Sequence, residues 1–229
     1  MPFAMVTTPL RRLLSAIGGG RFHAHRYWED RHRARRDSLS AVGHAQLDDD
    51  ANAELYEIKR AKLIDMIGRH VTNPQGQSLL DAGCGIAMFT SSLVDLGFDV
   101  TGVDVSATAL ERARSREPRA AFISGSLETL SLRRRFNVVV VVDVLLHVVN
   151  EKAWRTALAA LARHVCTGGL LVILDSMEHP HGDQPEHVNR RPLEIFTSVL
   201  ATHGLRRIDH QRFTLDHEYA TKDLVAFRR

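Results

Sequence analysis

The chain has 229 residues, 44% of them apolar and 25% charged, with a formal net charge of +3. That make-up suits a globular protein with one sizeable core and leaves no need for a second catalytic domain. No run approaches the roughly 20 apolar residues of a membrane span, and the N-terminal stretch lacks the apolar core of about 7–15 residues that a secretory signal carries. No membrane association is expected, and the expected compartment is the cytoplasm. Two cysteines, Cys84 and Cys166, cannot build a disulfide framework and are expected to be reduced and structural.

The charge is unevenly divided. Residues 1–47 carry eight arginines against Glu29, Asp30 and Asp37, a balance of +5, which leaves −2 for the rest of the chain. Residues 9–17 form a short piece, and Gly18-Gly19-Gly20 separates it, as a hinge or linker, from a helix around Tyr27-Trp28-Glu29-Asp30-Arg31 in which acids and arginines interleave. Such an arm has two readings. A basic segment can touch nucleic acid or an acidic substrate, and the same interleaving describes a solvated amphipathic helix. We divide the chain into this arm, residues 1–50, and one domain, residues 51–229.

The domain opens on Leu79-Leu80-Asp81-Ala82-Gly83-Cys84-Gly85-Ile86-Ala87. Leu79 and Leu80 end a short buried strand, Gly83 and Gly85 permit a sharp turn, and a helix over 87–96 is expected to follow with free N–H groups at its start. Residues 99–103 read as a second strand closed by Asp104, and Ser106 as the N-cap of a helix over 107–115. Residues 120–124 make a short third strand. The β-branched run from Phe136 to Val142 is too apolar for a one-sided sheet and must be central. A helix over 151–164 ends near Thr167-Gly168-Gly169, where glycine permits a left-handed turn. A fifth strand over 170–174, a helix over 192–202 and an antiparallel pair over 206–215 and 222–227 complete the chain. This alternation predicts an α/β fold, with a parallel core covered by helices on both faces.

The glycine turn marks a nucleoside site, and its neighbours separate two cofactor classes. A dinucleotide turn has a third glycine where this chain has Met88, and a carboxylate at Asp81 would repel a pyrophosphate. The same carboxylate suits a cationic α-amino group. The stretch Asp81-Ala-Gly-Cys-Gly, followed by Asp104, resembles motif I and the next acidic motif of the class I S-adenosylmethionine-dependent methyltransferases. The resemblance implies a Rossmann-like seven-stranded sheet, mostly parallel with an antiparallel last strand, helices on both faces, an N-terminal helical lid, and S-adenosylmethionine as cofactor. It implies that Asp81, Gly83, Cys84 and Gly85 hold the methionine portion, that Asp104 takes the ribose hydroxyls, and that Val105 lies on the adenine. Gly125-Ser126-Leu127 stands where the family has Gly-Asp-Ala, so Ser126 and Leu127 meet the adenine edge and Glu128 offers a substitute carboxylate. Ala87 occupies the family's third glycine position, which is harmless if that backbone is already helical. On the lid, Tyr27 and Trp28 are the aromatics placed to face a sulfonium; packing in the core is the other reading of Trp28.

Chemistry is expected beyond the carboxyl ends of strands four and five. Val142-Asp143-Val144-Leu145-Leu146-His147 supplies Asp143, as a catalytic and cofactor-side residue, and His147, as a general base or as a structural histidine. The loop Asp175 to His187 contains His179, His181 and His187 without a tight zinc spacing. Asp143 and Asp175 would also match the magnesium pair of catechol-type methyltransferases, except that Ser176 replaces the asparagine found there; no metal is the expectation. The strand-four segment lacks the Asn-Pro-Pro-Tyr or Asp-Pro-Pro-Tyr of enzymes that methylate amines of nucleic acids, and no separate RNA-binding domain is present. We therefore expect a small-molecule acceptor, methylated on a hydroxyl oxygen, in a monomer or homodimer. An RNA methyltransferase using the basic arm, a non-catalytic S-adenosylmethionine-binding protein and, least favoured, a dinucleotide oxidoreductase remain as alternatives.

Overall fold

The computed structural model describes residues 22–35, 38–41, 43, 47–179, 184–215 and 220–229. The expected piece over 9–17, the triple-glycine hinge and His181 lie outside them. In chain order the elements are α1 (Ala24–Ala34), a short 3-10 turn (Leu39–Ala41), α2 (Asp49–His70), β1 (Ser78–Ala82), α3 (Thr90–Asp95), β2 (Asp99–Asp104), α4 (Ala107–Arg116) and β3 (Ala121–Ser124). There follow β4 (Phe136–Val142), a second 3-10 turn (Leu145–His147), α5 (Glu151–His164), β5 (Val165–Asp175), α6 (Leu193–Ala201), β6 (Arg206–Leu215) and β7 (Ala220–Arg228).

Seven strands form one sheet in the order β3-β2-β1-β4-β5-β7-β6. The ladders from β3 through β5 are parallel. β7 runs antiparallel to both β5 and β6, so the terminal hairpin folds back and inserts its second strand beside β5. β4 explains the two-sided cover. Val139 and Val141 pack with α5 and α6 on one face, whereas Val138, Val140 and Val142 pack with α2 and α3 on the other. A strand buried on both sides has no polar face to alternate with, which is why its sequence is a continuous valine run. Each of these side chains contributes about 1.5–3 kcal/mol by leaving water. Among the described residues no helix is long and apolar enough to cross a membrane.

The structure adds one helix and redraws two boundaries. α2 was absent from the sequence reading, and the expected domain boundary at 50/51 falls in its first turn. It starts where Asp48 accepts from the Ala51 N–H at 2.9 Å, and it buries Leu55, Leu63, Met66 and Ile67 against the sheet. The helix expected over 87–96 is shorter, because residues 84–88 form a turn and α3 begins at Thr90. Gly85 (φ +53°) and Ala87 (φ +65°) lie in the left-handed region, which no α-helix can include. Ala87 is therefore not in helical backbone, as its tolerance had been argued, but carries a methyl group where glycine would be unstrained. The fifth strand starts at Val165, directly on the end of α5, rather than at 170. Gly168 (φ +75°) serves an irregularity in the β4–β5 ladder instead of capping the helix.

Leu63 is 1% exposed in the layer between α2 and the sheet. Leu63→Ala is expected to lower the unfolding free energy by about 2–5 kcal/mol, read from a urea titration. A change within about 0.5 kcal/mol, the range of surface substitutions, would mean that α2 does not pack there.

Candidate functional site

The glycine turn is folded onto the end of β2. The Gly83 and Cys84 N–H groups both donate to the Val103 carbonyl, at 2.7 and 3.0 Å. The Gly85 N–H donates to Asp104 Oδ2 and the Ser106 N–H to Asp104 Oδ1, each at 2.9 Å. One carboxylate thus sets the spacing of two turns, and each oxygen keeps acceptor capacity for a further donor. Burial nevertheless pushes the Asp104 pKa up, against the pull of these N–H groups. A side chain at Gly83 would need a Cβ only 2.3 Å from Val144, at φ +83°, so the position admits glycine alone.

Above this turn opens a cavity of about 990 Å³ that is continuous with solvent. Gly83, Cys84, Gly85, Asp104, Val105, Ser126, Leu127, Glu128, Asp143, His147 and Trp28 all line it, so most of the residues expected from the sequence share one space. Two lie off the wall. Asp81 is 2% exposed behind the turn and accepts from Thr90 Oγ1 at 2.6 Å, tying β1 to the start of α3. Burial raises its pKa to about 6, the Thr90 bond notwithstanding. Its carboxylate therefore braces the turn and does not line the cavity as a partner for an amino group. Tyr27 is the other; it stacks on His187, with ring centroids 4.9 Å apart and planes 19° from parallel.

Asp143 departs furthest from expectation. It ends β4 with φ +53°, its N–H held by the Leu174 carbonyl at 2.8 Å. Two lysines that the sequence reading did not single out converge on its carboxylate: Lys59 Nζ of α2 at 2.9 Å and Lys222 Nζ of β7 at 2.6 Å. Burial raises the Asp143 pKa, but the two ammonium groups outweigh it and hold the carboxyl well below the usual carboxylate range. Asp143 is consequently no proton acceptor, and two ammonium groups stand where a metal shared with Asp175 would need its ligand oxygens. Asp175 itself is 1% exposed; burial, reinforced by the Asp143 charge, lifts its pKa to about 7. It accepts from the Leu146 and Ser176 N–H groups at 3.0 and 2.8 Å, which fixes the 3-10 turn that carries His147.

The His147 ring lies on the cavity wall with Nδ1 2.7 Å from the His187 carbonyl. A carbonyl only accepts, so Nδ1 carries the hydrogen and Nε2 of the neutral ring bears the free electron pair. Burial, opposed by that hydrogen bond, lowers the His147 pKa to about 4. Trp28 meets this ring edge-on at 4.8 Å, and the His187 ring stacks on it at 5.5 Å. Exposed His179 joins neither ring. Among the described residues no group of three or more His, Cys, Asp and Glu could hold a metal.

α1 is the lid that brings Trp28 to His147. Its Glu29 accepts from Ser106 Oγ at 2.8 Å, Thr108 Oγ1 at 2.7 Å and the Thr108 N–H at 3.3 Å. Ser106 is the N-cap of α4, its Oγ accepting from the Ala109 N–H at 3.0 Å. Glu29 thus adds a carboxylate at the positive end of α4, beside the turn that Asp104 organises. The Thr108 side-chain bond, ahead of the other contacts, depresses its pKa to about 2. Lys59 had a sequence signal, since it interrupts the apolar spacing Leu55-Lys59-Leu63. Glu29 had none, because its partners are 77 and 79 residues away.

Residues 79–169 match the family model described as a methyltransferase domain. The chain is 34% identical over 171 residues to dTDP-3-amino-3,6-dideoxy-alpha-D-glucopyranose N,N-dimethyltransferase of Streptomyces fradiae, covering 73% of this chain and 66% of that protein. It is 31% identical over 160 residues to the mitochondrial ubiquinone biosynthesis O-methyltransferase of Schizosaccharomyces pombe, covering 66% of this chain and 53% of that one. It therefore spans less than two thirds of the length of either relative. Among solved structures, magnesium protoporphyrin IX methyltransferase from Synechocystis with bound S-adenosylhomocysteine superposes with a TM-score of 0.67 at 17% identity, over 90% of this chain and 97% of that one.

Removing the lid's anchor tests its docking. Glu29→Ala is expected to speed hydrogen exchange of the α1 amides by about tenfold or more, as loss of a charge-assisted bond worth about 1.5–3 kcal/mol would. Unchanged exchange over Ala24–Ala34 would show that Glu29 does not hold α1.

Proposed function

This chain belongs to the class I S-adenosylmethionine-dependent methyltransferases, and from that premise we propose that it methylates a hydroxyl oxygen of a small-molecule acceptor with His147 as general base. The observation that carries this reading is the orientation of His147, whose Nδ1 is committed to the His187 carbonyl and whose other nitrogen is left as an acceptor in a cavity-lining ring.

The residues around the cavity fit the cofactor of this family. Asp104 suits the two ribose hydroxyls, Val105 and Leu127 offer apolar surface to the adenine, and Trp28 presents an aromatic face of the kind that attracts a sulfonium cation. The volume lies within the range of about 300–1,000 Å³ common to small-molecule sites. When bound, S-adenosylmethionine supplies a methyl group already activated on a positively charged sulfur. The protein's part is then alignment and proton handling. The Trp28 and His147 rings border the space for the acceptor, and Nε2 accepts the proton that the hydroxyl loses as its oxygen takes the methyl group. The sulfur keeps the electron pair of the broken carbon–sulfur bond, leaving S-adenosylhomocysteine, a methyl ether and an imidazolium.

The base argues for oxygen over nitrogen. A neutral amine attacks with its own lone pair and sheds a proton afterwards, whereas a hydroxyl becomes a good nucleophile only as its proton leaves. The described arginines of the arm favour a small acceptor over a nucleic acid, because they are engaged within the protein. Arg31 lies over the Trp28 ring at 5.1 Å and bonds the Gly43 carbonyl, and Arg33 pairs with Glu29 at 3.1 Å.

S-adenosylhomocysteine release should be followed with a panel of phenols, sugar alcohols and amino sugars. His147→Ala is expected to cut kcat about a hundredfold while the Kd for S-adenosylmethionine stays within twofold. The active form of His147 is the unprotonated one, so its titration should leave the rate level above about pH 5 and reduce it only as pH falls through about 4. Turnover confined to amino sugars, or an unchanged rate in the variant, would overturn the hydroxyl reading.

A further inference from the structure

α1 turns one face to the cavity along its length: Ala24, Trp28 and His32, one helical turn apart, all line it. Trp28 has its partners there, but His32 does not. Its side chain is 2% exposed, and Nδ1 is a buried nitrogen with no hydrogen-bond partner. Buried ring nitrogens in folded proteins are nearly always paired, so an orphan on a cavity wall marks a place where something else supplies the bond. A second orphan lies nearby. Arg112 of α4 has its Nη1 buried and without a partner. After burial, the charge of Arg112 is the strongest influence keeping His32 neutral. This end of the cavity is the one walled by Tyr56, Ile86 and Met88, and Arg116, one turn beyond Arg112, donates to the Ile86 carbonyl at 3.3 Å.

We propose that His32 Nδ1 and Arg112 Nη1 form a carboxylate-binding site between α1 and α4, filled by the amino-acid carboxylate of the cofactor when α1 lies over the cavity. The inference rests on the methyltransferase reading above and goes beyond it in naming the lid as part of the cofactor site. Two N–H donors, one of them on a cation, match a planar anion. The other parts of the cofactor are accounted for elsewhere: ribose at Asp104, adenine toward Ser126 and Leu127, and the methyl group toward His147. What remains is the carboxylate, and these are the unsatisfied donors on the glycine-turn side. Because the two groups come from different helices, an anion that bridges them also fastens α1 to α4, next to the clasp made by Glu29.

The test is calorimetry on the full chain with two ligands, S-adenosylhomocysteine and 5′-methylthioadenosine, which keeps the nucleoside and sulfur but lacks the amino-acid part. His32→Ala and Arg112→Met are expected to weaken S-adenosylhomocysteine by tenfold or more and to leave methylthioadenosine within twofold. His32→Asn, whose amide nitrogen stands near the place of Nδ1, should recover most of the loss. Equal weakening of both ligands would show a disturbed helix rather than a lost carboxylate contact, and unchanged S-adenosylhomocysteine affinity would show no contact; either overturns the proposal. Melting temperatures of the unliganded variants verify that they are folded. A wild-type protein that binds neither ligand overturns the methyltransferase reading itself, an outcome distinct from the loss of discrimination in the variants alone.

Discussion

Two ammonium groups share one carboxylate at the floor of the cavity, and the arrangement of the site depends on that triad. Asp143 closes β4, Lys59 comes from α2 on one face of the sheet, and Lys222 comes from the strand inserted last in sequence. Three parts of the chain that are remote in sequence are thereby pinned to one point. A lone lysine buried at 5% or 6% exposure would lose its proton or pull water inward; with Asp143 between them both can stay charged. The backbone at Asp143 is left-handed, a conformation that costs a non-glycine residue about 1 kcal/mol. The ion pairs and the bond to Leu174 hold it there, and the chain then turns into the short helix that presents His147.

The lid is a second clasp on the same frame. Asp104 joins the glycine turn to the start of α4, and Glu29 joins α1 to that same start. A cofactor that engages Asp104 would thus tighten a turn on which the lid already rests. This places the aromatic cover and the ribose-side carboxylate in one mechanical unit, so that order in the cofactor site and order in the lid depend on each other.

Much of the fold was legible in the residues because its strongest signals are local. The valine run, the Ser106 cap and the Gly-Cys-Gly turn each declare their conformation within a few positions. α2 was missed although its spacing is helical, since a buried lysine breaks the apolar stripe and only a partner 84 residues away explains it. The α3 boundary was misplaced because helicity was extended through Ala87, whose left-handed backbone nothing local announces. The site divides in the same way. Cavity-lining residues carried by one motif, such as Gly83, Gly85 and Asp104, could be read in sequence. Those whose meaning comes from a distant partner, such as Glu29 with Thr108 or His32 with Arg112, could not. Asp81 shows the reverse error, a motif residue whose side chain supports the turn from behind.

The depressed basicity of His147 is consistent with the charge of the site around it. Lys59 and Lys222 against Asp143 leave one net positive charge in the floor, and the family's cofactor brings a second on sulfur. A third cation on the imidazole would face both in a region of low dielectric, where charges a few ångströms apart repel far more strongly than in water. Burial keeps the ring neutral until the reaction itself cancels the sulfonium charge. Only then does the site have room for a proton on Nε2. The base is therefore weak in the resting protein and gains strength at the moment the methyl group moves, which couples proton transfer to the displacement.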